Sequence, residues 1–248
     1  MLKLYSFGPG ANSLKPLLTL YEMCLPGEHK QLNPAAFEHH SDWFKAINPR
    51  GQVPALDDGG KIVTESTVIC EYLEDEYPTE VRLRPENSFD RAQMRIWTKW
   101  VDEYFCWCVS TVGWHRYVGT MVRHLSDAEF DAMVAKVPVP EQQVKWRRAR
   151  EGFPKDVLDE ELRKIAVSVR KLDDRLADNE WLAGGIYSLA DICNFAIANG
   201  LEQGFAEFVN ARDTPHLLRW IRQINARAAA QAMFAHVPHE RFEPARAD

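Results

Sequence analysis

Residues 53–66, VPALDDGGKIVTES, combine two strand-like runs with the start of a helix. The runs VPAL and KIVT flank a turn rich in Asp and Gly, which is the pattern of a β-hairpin. Thr64, Glu65 and Ser66 then supply hydroxyl and carboxylate groups where an amphipathic helix is expected to begin. A hairpin that leads directly into a helix predicts a small α/β domain.

The segments on either side of this stretch extend the same pattern. Apolar spacing predicts strands at residues 2–7 and 28–32, and helices at residues 13–24, 41–47 and 65–76. The resulting order is β-α-β-α-β-β-α, which fits one small α/β layer. We therefore expect residues 1–77 to form a thioredoxin-like domain.

The rest of the chain carries helical patterns. Residues 78–89 are polar and begin with Pro78, and we expect a linker there. Beyond it, the all-helical domain is expected to span residues 90–248. Its helices are predicted at residues 90–118, 156–177, 188–203 and 214–235. Two segments break the pattern: the proline-rich residues 137–154, expected to form an ordered excursion beside the bundle, and residues 238–248, expected to form a loose tail.

The composition and net charge disfavour some classes of function. The chain has 248 residues, of which 46% are hydrophobic and 27% charged, as in globular proteins. Its net charge of -6 disfavours nucleic acid as a partner. We see no signal peptide and no apolar run of the ~18 residues that a membrane span needs. A cytoplasmic protein without a membrane partner is therefore expected.

The cysteines are expected to be structural. There are five, an odd number, and none forms a CxxC motif. In a reducing compartment such residues are free and mostly buried thiols. They are Cys24, Cys70, Cys106, Cys108 and Cys193.

Asn12 and Ser13 lie between the first strand and the first helix. Backbone N–H groups at a helix N-terminus favour an anion, and a hydroxyl there can donate a hydrogen bond to a thiolate. The alternative is that Ser13 is only the N-cap of its helix. These residues by themselves do not decide between the two.

Two further positions are suited to binding a peptide-like ligand. A cis bond between Val53 and Pro54 would expose the backbone of Val53, although a proline at a strand edge needs no ligand. Glu65 and Ser66 offer partners for the carboxylate and ammonium groups of an amino acid, although they can equally be a helix cap.

Taken together, these motifs resemble the glutathione transferase family. The order is a strand, Ser13, a helix, then NPRGQVPAL at residues 48–56, a hairpin, and Glu-Ser at a helix start. In that family a thioredoxin-like domain binds glutathione and a helical domain follows. The resemblance covers nearly the whole chain. It implies glutathione as co-substrate and a homodimer.

The resemblance assigns roles to individual residues. Ser13 would face the glutathione sulfur, with Asn12 or the backbone amides as alternative donors. Val53, before a cis Pro54, would pair with the cysteinyl backbone of glutathione. No metal or general base is required to ionise the sulfur.

The two ends of the tripeptide would be held elsewhere. Glu65 and Ser66 would bind the γ-glutamyl end, and His40 and Gln52 are candidates for the glycyl end or for nearby backbone. Asp191 matches the helix-capping motif of the family, and it is expected to have a structural role.

A more specific resemblance is to the bacterial glutathione-dependent β-etherases of lignin breakdown. It rests on SFGPGANSLKPLL, FEHH, INPRGQVPAL, TESTVICEYLED and WTKWVDEYFCWCVST, whereas CLPGEHKQLNP, residues 24–34, departs from the pattern. It implies attack of the glutathione thiolate on the β-carbon of an α-keto aryl ether, which releases a phenol such as guaiacol. The donor to the leaving oxygen is not identified by the sequence.

The aromatic substrate needs an apolar wall. Trp97, Trp100, Tyr104, Trp107, Thr111 and Trp114 recur at helical spacing, which is typical of core as well as of a binding face. Candidates for the substrate cleft are Tyr104, Trp107 and Trp114 on this helix, and Phe7 and Pro9 beside the Ser13 turn.

Three other functions remain open. One is general conjugation, isomerisation or peroxide reduction by a glutathione transferase. The second is a glutathione or ligand-binding protein without catalysis. The third, a thiol–disulfide exchanger, is disfavoured because Ser13 occupies the position where a cysteine is needed.

Overall fold

The computed structural model describes residues 1–236 and 241–242. Its strands are β1 (Leu2–Ser6), β2 (Gly27–Gln31), β3 (Ala55–Asp58), β4 (Lys61–Thr64) and β5 (Arg241–Phe242). They form one sheet with the order β4-β3-β1-β2-β5. β1 pairs with β2 in parallel, and the other three pairings are antiparallel.

Helices cover both faces of this sheet. They are α1 (Ala11–Glu22), α2 (Asp42–Lys45) and α3 (Ser66–Glu76). Leu4 of β1 belongs to the main core with α1, while Tyr5 packs with Phe44 on the opposite face, as strand alternation requires. α1 is buried from Ser13 to Glu22 because it also packs against the helical domain. The α/β order predicted from the sequence is confirmed.

Helices make up the described part of the chain beyond residue 87, apart from loops and β5. The structure therefore confirms the predicted fold class. The helices are α4 (Ser88–Trp100), α5 (Cys106–Gly113), α6 (Gly119–Val122), α7 (Asp127–Val134), α8 (Pro140–Glu151), α9 (Lys155–Ala177), α10 (Leu189–Ala198), α11 (Leu201–Gly204), α12 (Pro215–Asn225) and α13 (Ala228–Ala235).

The long helix expected at residues 90–118 differs from a regular α-helix. Helical backbone runs from residue 88 to residue 122, but π-helical turns at Val101–Phe105 and Trp114–Val118 interrupt it on both sides of α5. A π turn inserts an extra residue and rotates the side chains that follow. The aromatic residues that share one face in a regular helix are therefore divided between two faces.

The sequence predicted that residues 137–154 break the helical pattern, and this prediction was wrong. Most of this segment is α8, with Pro140 in its first turn and Glu141 beside it. Proline is tolerated there because the first N–H groups of a helix have no intrahelical acceptor. α8 packs against α6 and the second π turn, so it lies beside the C-terminal end of the long helical run.

Asp191 caps α10, as expected. Its carboxylate accepts hydrogen bonds from the Ser188 and Leu182 N–H groups and from Trp220 Nε1, at 2.9–3.0 Å. Asp191 and Ser188 form a capping box. Burial raises the pKa of the Asp191 carboxyl to about 6, against the effect of these donors.

The expected loose tail at residues 238–248 lies outside the described residues, except for Arg241–Phe242, which pairs with β2. Within the part of the chain that is described, no helix combines the length and the apolar character needed to cross a membrane. None of the five cysteines, all of which are described, forms a disulfide bond, and Cys70, Cys108 and Cys193 are buried.

Candidate active site at the start of helix α1

The turn between β1 and α1 positions Ser13. α1 begins at Ala11 with Gly10 at its N-cap, two residues earlier than predicted, so Ser13 is not the N-cap. Ser13 is only 4% exposed, and its Oγ accepts a hydrogen bond from the Phe7 N–H at 3.3 Å. One lone pair of the hydroxyl oxygen is thereby used, and the hydroxyl proton has no acceptor among the described residues, so it can be donated to a ligand.

Asn12 faces the helical domain. Its side-chain Nδ2 lies 3.6 Å from Sγ of Cys106 on α5. Burial raises the pKa of the Cys106 thiol, so this thiol stays protonated near neutral pH. Sequence reasoning treated every cysteine as structural and missed Cys106, because its contact with Asn12 joins positions 94 residues apart.

Lys145 of α8 contacts α5 one helical turn beyond Cys106. Its Nζ is 3.0 Å from Oγ of Ser110, four residues after Cys106. The indole centroids of Trp114 and Trp107 are 4.6 and 5.3 Å from the same Nζ. Burial lowers the pKa of Lys145 to about 8, and the Cys106 thiol opposes this effect. Sequence reasoning missed Lys145 because it did not predict α8.

A loop of the α/β domain completes this set of contacts. The Phe37 ring lies 5.1 Å from that of Trp146 on α8, and Trp146 lies 4.8 Å from Trp114. On the other side, His39 contacts Phe37 at 5.2 Å and Phe7 at 4.9 Å. Contacts therefore run without interruption from the Ser13 turn through α5, α8 and the loop, and return to Phe7.

The sheet register brings the predicted glutathione positions to one edge. Tyr5 pairs with Ala55, and Ala55 pairs with Thr64. The residues just beyond these three are Phe7, the cis Val53–Pro54 bond, and Glu65 with Ser66. All three motifs therefore lie together at the end of the sheet where β1 ends.

Glu65 has an unusual backbone conformation. Its φ is 68°, which is uncommon for a residue other than glycine, and it directly precedes α3. Such conformations are concentrated at ligand-binding positions. Ser66 is the first residue of α3 and is 8% exposed.

His40 and Gln52 lie behind this edge. A Cβ on Gly51 would come within 2.5 Å of His40 Nδ1, so the loop before β3 packs directly on the buried imidazole. Burial lowers the pKa of His40 to about 4, and the charge of Lys45 contributes. His40 is therefore neutral at pH 7. Gln52 accepts a hydrogen bond from Arg50 Nε at 3.2 Å.

The substrate-side candidates are not all in one place. Trp107 and Trp114 flank Lys145, and Phe7 and Pro9 are exposed beside the Ser13 turn. Tyr104 instead stacks on Trp100 at 6.4 Å, and Trp100 packs beneath Lys171 of α9. The first π turn accounts for this, because it separates Tyr104 from the face that carries Trp107.

The fold and the site together define the class of protein. Models of the glutathione S-transferase N-terminal and C-terminal domains match residues 1–75 and 105–228. The chain belongs to the glutathione S-transferase family, and glutathione is its co-substrate.

Two relatives and one crystal structure are similar to this chain over nearly its whole length. Protein LigF of Sphingobium sp. (strain NBRC 103272 / SYK-6) is 60% identical over 94% of this chain and 93% of its own length. The crystal structure of beta-etherase LigF from strain SYK-6 covers 94% of this chain and 98% of its own, with a TM-score of 0.92. Glutathione S-transferase 3 of Zea mays is 26% identical over 96% of this chain and 95% of its own length.

Proposed function

We propose that this chain is a glutathione-dependent β-etherase that cleaves the β-aryl ether bond of α-keto lignin-type dimers. The glutathione thiolate attacks the β-carbon, and a phenol such as guaiacol leaves. The product is a glutathione thioether with inverted configuration at that carbon. The 60% identity to beta-etherase LigF across both domains carries this proposal.

The turn at α1 supports ionisation of the sulfur. A free thiol with a pKa of ~8.5 is about 3% ionised at pH 7. Lowering that pKa by ~2 units requires about 2.7 kcal/mol. A hydrogen bond to a charged group supplies ~1.5–3 kcal/mol and a helix N-terminus ~0.3–1 kcal/mol. The Ser13 hydroxyl and the start of α1 are together sufficient.

The sheet edge supports the placement of the tripeptide. We propose that Val53 and Pro54 bind its cysteinyl backbone, and that Glu65 and Ser66 bind its γ-glutamyl end. His40 and Gln52 are proposed to support the glycyl end through the loop before β3. Gln52 belongs to this loop, and the buried His40 packs against it.

The aromatic rings beyond the sulfur support an aryl substrate. Phe7 and Pro9 on one side, and Trp107 and Trp114 on the other, are the proposed walls for the two rings of the dimer. Stacking on such side chains is worth ~0.5–1.5 kcal/mol beyond the burial of area. Tyr104 is proposed to act only at the outer margin, since it packs on Trp100.

The decisive assay offers the protein a racemic guaiacyl β-ether ketone with glutathione, in parallel with a chloronitrobenzene. We expect guaiacol and one enantiomer of the thioether, formed only when glutathione is present. Conjugation of the chloronitrobenzene without release of guaiacol would favour a general glutathione transferase. Binding of glutathione without turnover of either compound would favour a ligand-binding protein.

We further propose a cytoplasmic homodimer. Five cysteines without a disulfide bond fit a reducing compartment. Exposed apolar side chains on β4, α3 and α4 supply a surface for a second copy: Ile62, Val68, Phe89 and Ile96.

A further inference from the structure

Lys145 is a cation whose surroundings fit an anionic oxygen on an aromatic ring. Its Nζ donates to Ser110 Oγ at 3.0 Å, and the indoles of Trp107 and Trp114 lie on either side. Among the described residues, no carboxylate forms an ion pair with Lys145, and the nearby Cys106 thiol only partly offsets the effect of burial on its pKa. A half-buried ammonium without a carboxylate partner is costly, and an anionic oxygen such as that of a phenolate would balance its charge.

Its position relative to the sulfur site is equally specific. Asn12, next to Ser13, contacts Cys106, and Ser110 lies one turn, about 5.4 Å, along α5 from Cys106. Displacement at carbon places the leaving oxygen on the side opposite the attacking sulfur. The two atoms that carry negative charge therefore need separate donors. The start of α1 serves the sulfur, and Lys145 lies beyond it on the side of the aromatic walls.

We propose that Lys145 is the general acid that protonates the phenolate oxygen as it leaves. This inference rests on the proposed β-ether cleavage. The C–S bond forms as the C–O bond breaks, and the electron pair of that bond moves to the phenolic oxygen. A proton then passes from Nζ to the oxygen and yields the neutral phenol. The amine recovers a proton from water, which balances the proton that the glutathione thiol released.

The lowered pKa suits this role. A lysine whose pKa is about 8 remains roughly 90% protonated at pH 7, and it is a stronger acid than an ordinary lysine. The rate with a basic leaving group should fall as the pH rises through about 8, because the neutral amine has no proton to donate to the oxygen.

The charged groups on the elements next to α8 have other partners. On α7, Asp131 and Asp127 pair with Arg147 and Arg150 of α8. His115 of the second π turn accepts from the Phe153 N–H, and Arg116 donates to the Gly204 carbonyl. α6 has no titratable side chain. His39 and His40, which approach Trp146 through Phe37, have pKa values lowered to about 3 and about 4, so they are neutral throughout.

The test compares two β-ether ketones that differ only in the leaving phenol: a methoxyphenol, which is a basic leaving group, and a nitrophenol, which is a weakly basic one. For Lys145→Met we expect kcat with the methoxyphenyl ether to fall about 10²-fold, while kcat with the nitrophenyl ether is nearly unchanged. In Lys145→Met the fall in rate above pH 8 should be absent, because this variant has no ammonium group at position 145. Lys136→Met, at an exposed lysine just before α8, is the matched control and should behave as wild type.

Two further measurements separate this role from others. The pKa of bound glutathione, followed by thiolate absorbance, should be the same in Lys145→Met and wild type. Lys145→Arg keeps the charge, but its guanidinium does not release a proton near neutral pH. It should therefore stay slow with the methoxyphenyl ether, and it also serves if the methionine variant does not fold.

Three results would overturn the inference. An equal loss with both ethers, a raised pKa of bound glutathione in Lys145→Met, or full activity of Lys145→Arg would each exclude proton donation to the leaving oxygen. If wild type releases neither phenol, the proposed function itself fails and the inference fails with it. That outcome is distinct, since it appears before any variant is measured.

Discussion

At the scale of single residues, the main question is which group stabilises the sulfur. The Ser13 hydroxyl accepts a hydrogen bond from the Phe7 N–H and can donate its proton to a ligand, whereas the Asn12 amide is directed at Cys106. We therefore expect Ser13→Ala to raise the pKa of bound glutathione by about one to two units, the equivalent of a lost hydrogen bond to a charged group. At pH 7 kcat/KM should fall by roughly tenfold, and thiolate absorbance against pH measures the shift directly.

Asn12→Ala is the matched comparison on the adjacent residue. Because the amide already has a neutral thiol as a neighbour, its removal should change the pKa of bound glutathione less than Ser13→Ala does. A larger shift in Asn12→Ala than in Ser13→Ala would mean that the amide is the main donor. Small shifts in both would assign the thiolate to the backbone amides at the start of α1.

The sequence identifies some residues of the site and not others, for a physical reason. Ser13, Pro54 and Glu65 stand next to turn and helix-start signals, which depend on local backbone preferences. Cys106 and Lys145 carry no such signal. Cys106 joins the proposed site because its thiol meets Asn12 of α1, and Lys145 because its ammonium meets Ser110 of α5. Such contacts follow only from tertiary packing.

At the scale of elements, the position of α8 depends on one glycine. A Cβ on Gly119 would lie 2.2 Å from the Ala149 carbonyl oxygen, so α6 and α8 touch through their backbones. Gly119→Ala should force the helices apart and cost about 1–3 kcal/mol of unfolding free energy, as overpacked cores do. It should also lower kcat, because Lys145 moves with α8. Urea unfolding and the β-ether assay measure the two effects.

Gly113 is the internal control for this substitution. It lies in the same helical run, and an added Cβ would meet nothing within 4 Å. Gly113→Ala should therefore raise the free energy of unfolding by about 0.5–1 kcal/mol, the ordinary gain for alanine within a helix. Equal effects of the two substitutions would show that the contact between α6 and α8 does not hold α8 in place.

The loop that carries His39 and His40 should make stability depend on pH. Burial lowers their pKa values to about 3 and about 4, below the ordinary value of 6.5. The unfolded chain therefore binds protons that the folded chain does not, and stability falls as the pH drops below about 6.5. At pH 5 each histidine should cost about 2 kcal/mol relative to pH 7.

His40→Asn isolates one of these contributions. Asparagine is polar and does not titrate, so the difference in unfolding free energy between pH 7 and pH 5 should shrink by about 2 kcal/mol. Urea unfolding at both pH values measures it. His124→Asn, at an exposed position, should leave the difference at its wild-type value. An unchanged difference in His40→Asn would mean that this imidazole is protonated in the folded chain.

Sequence patterns predict some of these elements and miss others. The hairpin, α1 and α3 are predicted well because turn residues and apolar period mark them locally. The two π turns are not, because apolar spacing assumes 3.6 residues per turn throughout. The segment with α8 contains three prolines, which argue against a helix, but Pro140 occupies the first turn, where proline is tolerated.

At the scale of the whole molecule, α1 is held by both domains. Lys15 is fully buried and forms an ion pair with Asp102 at 2.5 Å, and Glu22 accepts two hydrogen bonds from Arg227 at 2.6 and 2.8 Å. One contact anchors the first turns of the helix and the other its last residue. The orientation of the sulfur site is therefore set jointly by the sheet and the helical domain.

The exposed surface of β4, α3 and α4 is the expected dimer interface. β4 is an edge strand, and Arg95 of α4 pairs with Glu71 of α3 at 2.9 Å. This ion pair joins α3 to α4, and we expect the exposed apolar residues of the two helices to belong to one surface. Val68 of α3 is 54% exposed within that surface. We expect light scattering after gel filtration to give twice the mass of the chain for wild type, and the mass of one chain for Val68→Glu, because a buried unpaired carboxylate opposes association.

Val167→Glu is the control for that experiment. Val167 lies on α9 and is 52% exposed, so it matches Val68 in residue type, helical setting and exposure while lying on another surface. Val167→Glu should remain a dimer. If both variants keep the wild-type mass, the surface of α3 and α4 is not the interface. If wild type itself has the mass of one chain, the site formed by Ser13, Asn12 and Lys145 must act within a monomer, which its composition from a single chain allows.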